Sequence, residues 1–261
     1  MLCACRVWIF HPDRQPLIAL ASPLLSIIIP AHNEQSRLPR TLDEVLAFLG
    51  RQDYASEVLV VENASTDRTG ELAEGYAREH RLLRVIRTAE RGKGLAVRLG
   101  MLAAQGEYRF MCDADLSMPI EEVNRFLPPA QSDFEVAIGS REVQGAVRYN
   151  EPWERHLGGR LINLVIRFLI LPHFQDTQCG FKCFRGAIVP DLFGRQTLNA
   201  WSFDVELLYI AQRLGYRVIE IPIDWYYRSE SKVNALRDGL RMISDIARIR
   251  ARGSRGLYDA H

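Results

Sequence analysis

Asp113 and Asp115 stand one residue apart in the stretch FMCDADLSMP, Phe110 to Pro119, directly after an apolar run. Carboxylates at i and i+2 beyond a buried strand aim at one point if the strand geometry breaks between them. Two hard oxygen ligands beside bound phosphates are a common way to hold Mg2+ or Mn2+. Ser117 is a candidate third ligand, directly or through water. The same spacing also suits a helix cap at Asp115 and a turn closed by Asp113. Upstream, RGKG places Lys93 between glycines just before a helical stretch. Backbone donors at a helix N-terminus with a mobile ammonium suit a diphosphate, and a plain glycine turn with an exposed lysine is the other reading. It is not a Walker loop, and no GxGxxG follows any strand, which argues against a nicotinamide site. Glu34 and Glu62 sit at strand ends beside Asn33 and Asn63. They are placed either to hydrogen-bond a base or ribose or to cap helices.

The elements that must carry these residues alternate between two periods. Strand-like runs cover Leu24–Pro30, Glu57–Glu62, Leu82–Arg87, Tyr108–Asp113 and Phe134–Ser140. Helix-like stretches cover Leu38–Leu49, Thr69–Glu79, Gly94–Ala104 and Ile120–Leu127, the last with Pro119 suited to its first turn. That alternation predicts an α/β fold, a doubly wound, mostly parallel sheet flanked by helices. In such sheets ligands bind outside the carboxyl ends of the strands. PAHNE, ENAST and DADLS each follow a strand, so all three gather on one rim. The second half predicts a long helix over Trp153–Leu171 and a loop DTQCGFKCF leading into a strand. A helix over Ser202–Gly215, a strand over Tyr216–Trp225 and a basic amphipathic helix over Val233–Arg250 follow. No repeat and no Pro/Gly/Ser-rich linker divides the chain. The expectation is an irregular extension at 1–23, one domain at 24–250 with a helical elaboration, and a basic, flexible tail at 251–261.

Bulk properties exclude more than they assign. The 261 residues carry a formal charge of +1, which gives no argument for nucleic acid. From Arg228 to Arg255 eight basic residues face three acids, a solvated face or a surface for membranes and phosphates. Lysine is rare: Lys93, Lys182 and Lys232 are the only three, an arginine bias that hints at a bacterial genome. Five cysteines without metal-ligand spacing fit a reducing compartment. No run reaches the ~18 apolar residues of a membrane span, and Asp13 and Pro16 interrupt any signal-peptide core.

In order and spacing, IIIPAHNE, EVLVVENASTD, RGKG, DADLS and GSR resemble family 2 glycosyltransferases with the GT-A nucleotide-sugar fold. DTQCGFKCF, WSFDVELLYIAQRLGY and SKVNALRDGLRM narrow the resemblance to the dolichyl-phosphate glucosyltransferase branch, close to the dolichyl-phosphate mannose synthases. It covers about residues 24 to 250. The resemblance implies that Pro30, Ala31, Asn33 and Glu34 hold the base and ribose of the donor. Glu62 stands where the family has the first aspartate of its DDGS motif, and Asn63 replaces the second. Lys93 would touch the diphosphate, and Asp113 and Asp115 would serve nucleotide and metal, Mg2+ or Mn2+. Ser117 replaces a glutamine that ligates metal in the mannose-synthase branch. Arg141 of GSR and Arg155 would bind the acceptor phosphate, although Gly159 stands where the mannose branch has a serine. Arg228, Ser231 and Lys232 resemble a basic closing segment near the phosphates. Asp176, Asp204 and Glu206 are candidates for sugar hydroxyls, with helix capping or a structural ion pair as their alternative.

The implied reaction is inverting transfer of glucose from UDP-glucose to a polyprenyl phosphate, dolichyl or undecaprenyl. GDP-mannose as donor and a soluble saccharide acceptor are the alternatives within the class. A non-catalytic nucleotide-sugar-binding protein is the alternative outside it, and the intact charges at Lys93, Asp113, Asp115 and Arg141 argue against it. The expected setting is peripheral, at the cytoplasmic face of a membrane. Trp153–Leu171 and the basic C-terminal helix would be its docking elements.

Overall fold

The computed structural model describes residues 22–228 and 235–259. The extension at 1–21 therefore lies outside the described residues, as do Ser231 and Lys232. In the first half β1 (Leu25–Ala31), α1 (Leu38–Leu49), β2 (Ser56–Asn63), α2 (Thr69–Glu79), β3 (Leu83–Thr88), α3 (Lys93–Ala103) and β4 (Tyr108–Met111) alternate strictly. A 3-10 turn (Ile120–Phe126), β5 (Val136–Ser140), β6 (Val147–Tyr149) and α4 (Trp153–Leu169) follow. The chain closes with β7 (Lys182–Arg185), α5 (Val189–Gly194), α6 (Phe203–Arg213), β8 (Val218–Pro222), β9 (Asp224–Tyr226) and α7 (Ala235–Ser254).

Seven strands form one sheet in the order β3-β2-β1-β4-β7-β5-β8, parallel except for β7, which runs antiparallel to β4 and β5. The central strands are buried on both faces, which is why they read as continuous apolar runs. Leu25, Ile27 and Ile29 of β1 face one core layer with Leu38, Leu42, Val45 and Phe48 of α1. Ile28, Leu59 and Val61 face the other, with Ala96, Val97 and Met101 of α3 and much of α6. The strand order reverses direction between β1 and β4, and the crevice beyond that point is the expected ligand position.

Four expectations need correction. First, β4 stops at Met111, two residues before the expected Asp113. Cys112 still donates its N–H to Ile28, and the chain then leaves the sheet in a turn with Leu116 at φ 43°. Second, the 120–127 helix is a 3-10 turn. Third, the run Tyr216–Trp225 is two strands broken at Ile223. The second, β9, pairs with β6 in a separate ribbon where Tyr149 and Tyr226 stack at 4.4 Å. Fourth, the tail at 251–261 is packed as far as 259: α7 continues to Ser254, and the fully buried Tyr258 hydroxyl donates to Glu206. The direction of β7 has a simple cause. β5 ends at the rim, α4 follows it, and the chain re-enters the sheet from that rim, with Lys182 paired to Met111 and Ile138.

Candidate active site

Beyond the carboxyl ends of β1, β2, β4 and β5 lies a cavity of about 700 Å3, lined by Pro30, Ala31, His32 and Glu34 from the first rim turn. Asn63, Lys93, Asp113, Asp115, Ser117, Arg141, Gln178, Gly180, Trp201, Asp204, Trp225, Tyr227 and Arg228 complete most of its wall.

One half of the cavity is built on the turn after β4. Lys93, the first residue of α3, places Nζ 2.7 Å from Asp113 Oδ1. Burial opposes the Lys93 charge, but Asp113, Asp204 and Asp115 outweigh it and raise its pKa. Burial and the neighbouring Asp113 charge raise the pKa of Asp115. Its Oδ1 accepts the Ser117 N–H at 3.0 Å, and Thr41 Oγ1 donates to the Ala114 carbonyl at 2.7 Å, fixing the turn between the two aspartates. Asx-turn geometry and membership of the cleft thus coincide at Asp115. Asn63 ties down the loop before α3: its Oδ1 accepts Gly92 N–H at 2.7 Å and its Nδ2 donates to Glu90 at 2.5 Å.

The other half is built on the loop from Asp176 to Phe181. Arg141, just past β5, donates Nε and Nη2 to fully buried Asp176 at 2.6 and 2.9 Å. Burial opposes both charges, yet the pairing prevails. The Asp176 pKa falls to about 2 and that of Arg141 rises. Glu220 of β8 accepts the backbone N–H groups of Gln175 and Asp176, which holds this loop from below. Lys182, 1 % exposed, places Nζ 2.7 Å from Asp204 Oδ1 and also donates to the Cys179 carbonyl. Burial raises the Asp204 pKa, and Lys182 and Lys93 hold the rise back. At Gly180 a Cβ would lie 1.9 Å from Asp113 Oδ2, so only glycine admits the carboxylate here.

Several sequence-predicted residues are placed elsewhere. Glu62 does not line the cleft; it turns toward β3, accepting the Ser65 N–H at 2.6 Å and Arg87 Nε at 3.1 Å. Adjacent strand residues face opposite ways, so Asn63, not Glu62, reaches the cavity. Asn33, at φ 54°, spans to the next rim turn, its N–H donating to Ser65 Oγ and its Oδ1 accepting the Thr66 N–H. Glu34 does line the cavity, paired to Arg37 at 2.5 Å. Asp176 serves Arg141 and does not reach the cavity wall. Glu206 is fully buried and accepts from Thr197, Leu198 and Tyr258, a structural hub that does not line the cavity. The Arg155 side chain lies outside the described residues. Sequence reasoning passed over Gly180, Trp201, Trp225 and Tyr227. Gly180 and Trp201 stood inside the stretches DTQCGFKCF and WSFDVELLYIAQRLGY without being singled out, whereas Trp225 and Tyr227 belong to no motif.

Among the described residues, no three His, Cys, Asp or Glu side chains come together as a metal cage. Asp113 and Asp115 still fit a hard cation. They are two carboxylates in one wall of the cleft, with the Asp115 pKa raised by burial and by Asp113, and phosphate oxygens would complete the coordination.

Residues 26–193 match glycosyl transferase family 2. The dolichyl-phosphate beta-glucosyltransferase of Drosophila melanogaster is 35% identical over 237 residues, 85% of this chain and 73% of the relative. Those of Dictyostelium discoideum and Homo sapiens are each 31% identical, covering 90% of this chain and 76% and 77% of theirs. Among solved structures, glucosyl-3-phosphoglycerate synthase from Mycobacterium tuberculosis with UDP superposes with a TM-score of 0.62 at 17% identity, over 87% of this chain and 80% of that one. Its complex with Mn2+ and UDP-glucose gives 0.60 at 17% identity, over 86% and 78%. That likeness establishes a shared fold. With the family match spanning most of the sheet and relatives above 30% identity along most of their length, the chain belongs to glycosyl transferase family 2.

Proposed function

We propose that this cleft transfers glucose from UDP-glucose to a polyprenyl phosphate, with inversion at the anomeric carbon. One observation carries the reading: a single cavity holds Lys93 with Asp113 and Asp115 on one wall and Arg141 on the other. The dolichyl-phosphate glucosyltransferase relatives and the UDP-glucose complex of the structural neighbour supply the donor and the acceptor class.

The chemistry follows from bringing two anions together. A phosphate monoester has its second pKa near ~6, so the acceptor is mostly dianionic at neutral pH and needs no general base. Lys93 binds the donor diphosphate and stabilises the charge that grows there as the glycosidic bond breaks. Asp113 and Asp115, with Ser117 beside them, would hold a Mg2+ or Mn2+, which would supply further neutralisation of the leaving group. Asp176 engages the Nε and Nη2 edge of Arg141, so the Nη1 side is what an acceptor phosphate would meet. Arg228, which lines the same cavity, adds a second guanidinium. Pro30, Ala31 and Glu34 form the base-and-ribose end.

A lipid acceptor also requires a surface that meets a bilayer. No helix among the described residues is long and apolar enough to cross a membrane. On α4, Trp153, Leu164 and Phe168 are exposed along one face, Phe168 by 88 %, with Arg160 and Arg167 interspersed. Exposed Ile243 of α7 and Arg250, which donates to the Leu169 carbonyl, extend that face. Apolar side chains among arginines suit peripheral docking on an anionic membrane.

The deciding experiment measures transfer of labelled sugar into polyprenyl phosphate from UDP-glucose and from GDP-mannose, with Mg2+ or Mn2+ and with chelator. Chelator-sensitive labelling from UDP-glucose is expected. Labelling from GDP-mannose alone would overturn the donor. Nucleotide binding without lipid labelling would overturn the acceptor.

A further inference from the structure

Trp201 is a large aromatic residue left 47 % exposed on the wall of the cleft, in the turn before α6. Its ring lies 5.0 Å from Lys93 Nζ. The placement is held by backbone rather than by chance contact. Leu95 N–H donates to the Asn199 carbonyl at 3.2 Å, and a Cβ at Gly92 would meet that same carbonyl oxygen at 2.3 Å. The segment carrying Trp201 is therefore docked directly on the loop that carries Lys93. Asp204, three residues further on, lines the same stretch of wall, held by buried Lys182.

We propose that Trp201 is the platform on which the donor's hexose rests, and that it favours a sugar of gluco configuration. This rests on the reading that Lys93 marks the diphosphate. The hexose hangs from that diphosphate by one oxygen, so it falls within reach of the indole beside Lys93. In the pyranose ring of glucose the hydroxyls at C2, C3 and C4 and the CH2OH group are equatorial. Both ring faces then present axial C–H bonds that pack flat against an aromatic surface. An axial hydroxyl at C4, as in galactose, interrupts one such face. Covering the exposed indole with sugar also removes apolar area from water, while the rim hydroxyls remain for Asp204 to accept from. Trp201 thus discriminates by shape and Asp204 by hydrogen bonding.

The test is titration calorimetry of the full chain with Mn2+ present, using UDP, UDP-glucose and UDP-galactose on wild type, W201F and W201A. W201A should weaken UDP-glucose binding roughly tenfold and leave UDP within about twofold, the scale of one lost aromatic contact. W201F should lose less, and the preference for glucose over galactose should shrink from wild type to W201F to W201A. Melting temperatures check that the variants fold, which a half-exposed site permits. Equal weakening of UDP and UDP-glucose would overturn the platform and leave Trp201 as a shield for Lys93. Unchanged UDP-glucose binding would overturn it as well. If wild type binds GDP-mannose in place of UDP-glucose, the donor reading fails separately, and the GDP against GDP-mannose comparison decides the platform by the same difference. Binding of neither nucleotide sugar would overturn both.

Discussion

Lys93 is the residue on which the β4 side of the cleft turns, because its ammonium meets Asp113 at 2.7 Å and its charge is sustained by three carboxylates. Lys93→Met should lower kcat/KM for sugar transfer by about a hundredfold to a thousandfold, the usual loss when one preorganised charge is removed. Steady-state kinetics against donor concentration checks this. Gly180→Ala forces a methyl group into Asp113 Oδ2. A carboxylate displaced by about 1 Å should cost roughly a hundredfold in kcat with a small change in melting temperature. Arg141→Ala has a different signature, since it leaves Asp176 buried without its cation. Destabilisation of about 3–5 kcal/mol is expected in urea unfolding. The pH dependence of that contribution has a definite sign. The Asp176 pKa is depressed to about 2 from 3.8, so its stabilisation is present above about pH 4 and is lost as pH falls toward 2. Wild type should lose stability through that window more steeply than an Asp176→Asn variant. Asp113 and Asp115 were legible as rim residues because the apolar run before them read as a buried strand, although β4 itself ends at Met111. Glu62 was not, because sequence alone does not say which of two adjacent strand residues points off the rim.

At the scale of elements, α4 exposes Trp153, Leu164 and Phe168 beside basic side chains, and α7 exposes Ile243. Phe168→Asp places a negative charge at the centre of that face without touching either core layer. It should abolish flotation with vesicles containing anionic lipid while leaving UDP binding intact; unchanged flotation would remove this face from consideration. The parallel strands were readable from their continuous apolar runs, and α1 to α3 from apolar residues recurring every three or four positions. The direction of β7 and the β6-β9 ribbon were not. Strand direction depends on which end of the sheet the chain re-enters, and a three-residue strand such as β9 finds its partner only after β6 has been placed beside it. Tyr149 and Tyr226, stacked across that ribbon, are 77 residues apart by number and share no local pattern.

Across the whole molecule, two core layers clasp one sheet and leave the crevice between β1 and β4 open to ligand. A nucleotide bound there with its metal stabilises the folded chain by mass action, about 2.7 kcal/mol at a hundred times Kd. UDP with Mn2+ should therefore raise the melting temperature by several degrees, and chelator should return most of that gain. Tyr258, buried near the C-terminus against Glu206, makes the last turns part of the same cooperative unit. One short stretch binds this architecture to its chemistry. Residues 176–182 hold Arg141 through Asp176, make room for Asp113 at Gly180 and anchor Asp204 through Lys182. The gap between Asp113 and Arg141 is thus a ruler made of backbone, its length counted in residues rather than set by side-chain reach. A lineage could exchange the side chains on either wall one by one and still keep the reacting distance, whereas a single inserted residue in that stretch would shift both walls at once.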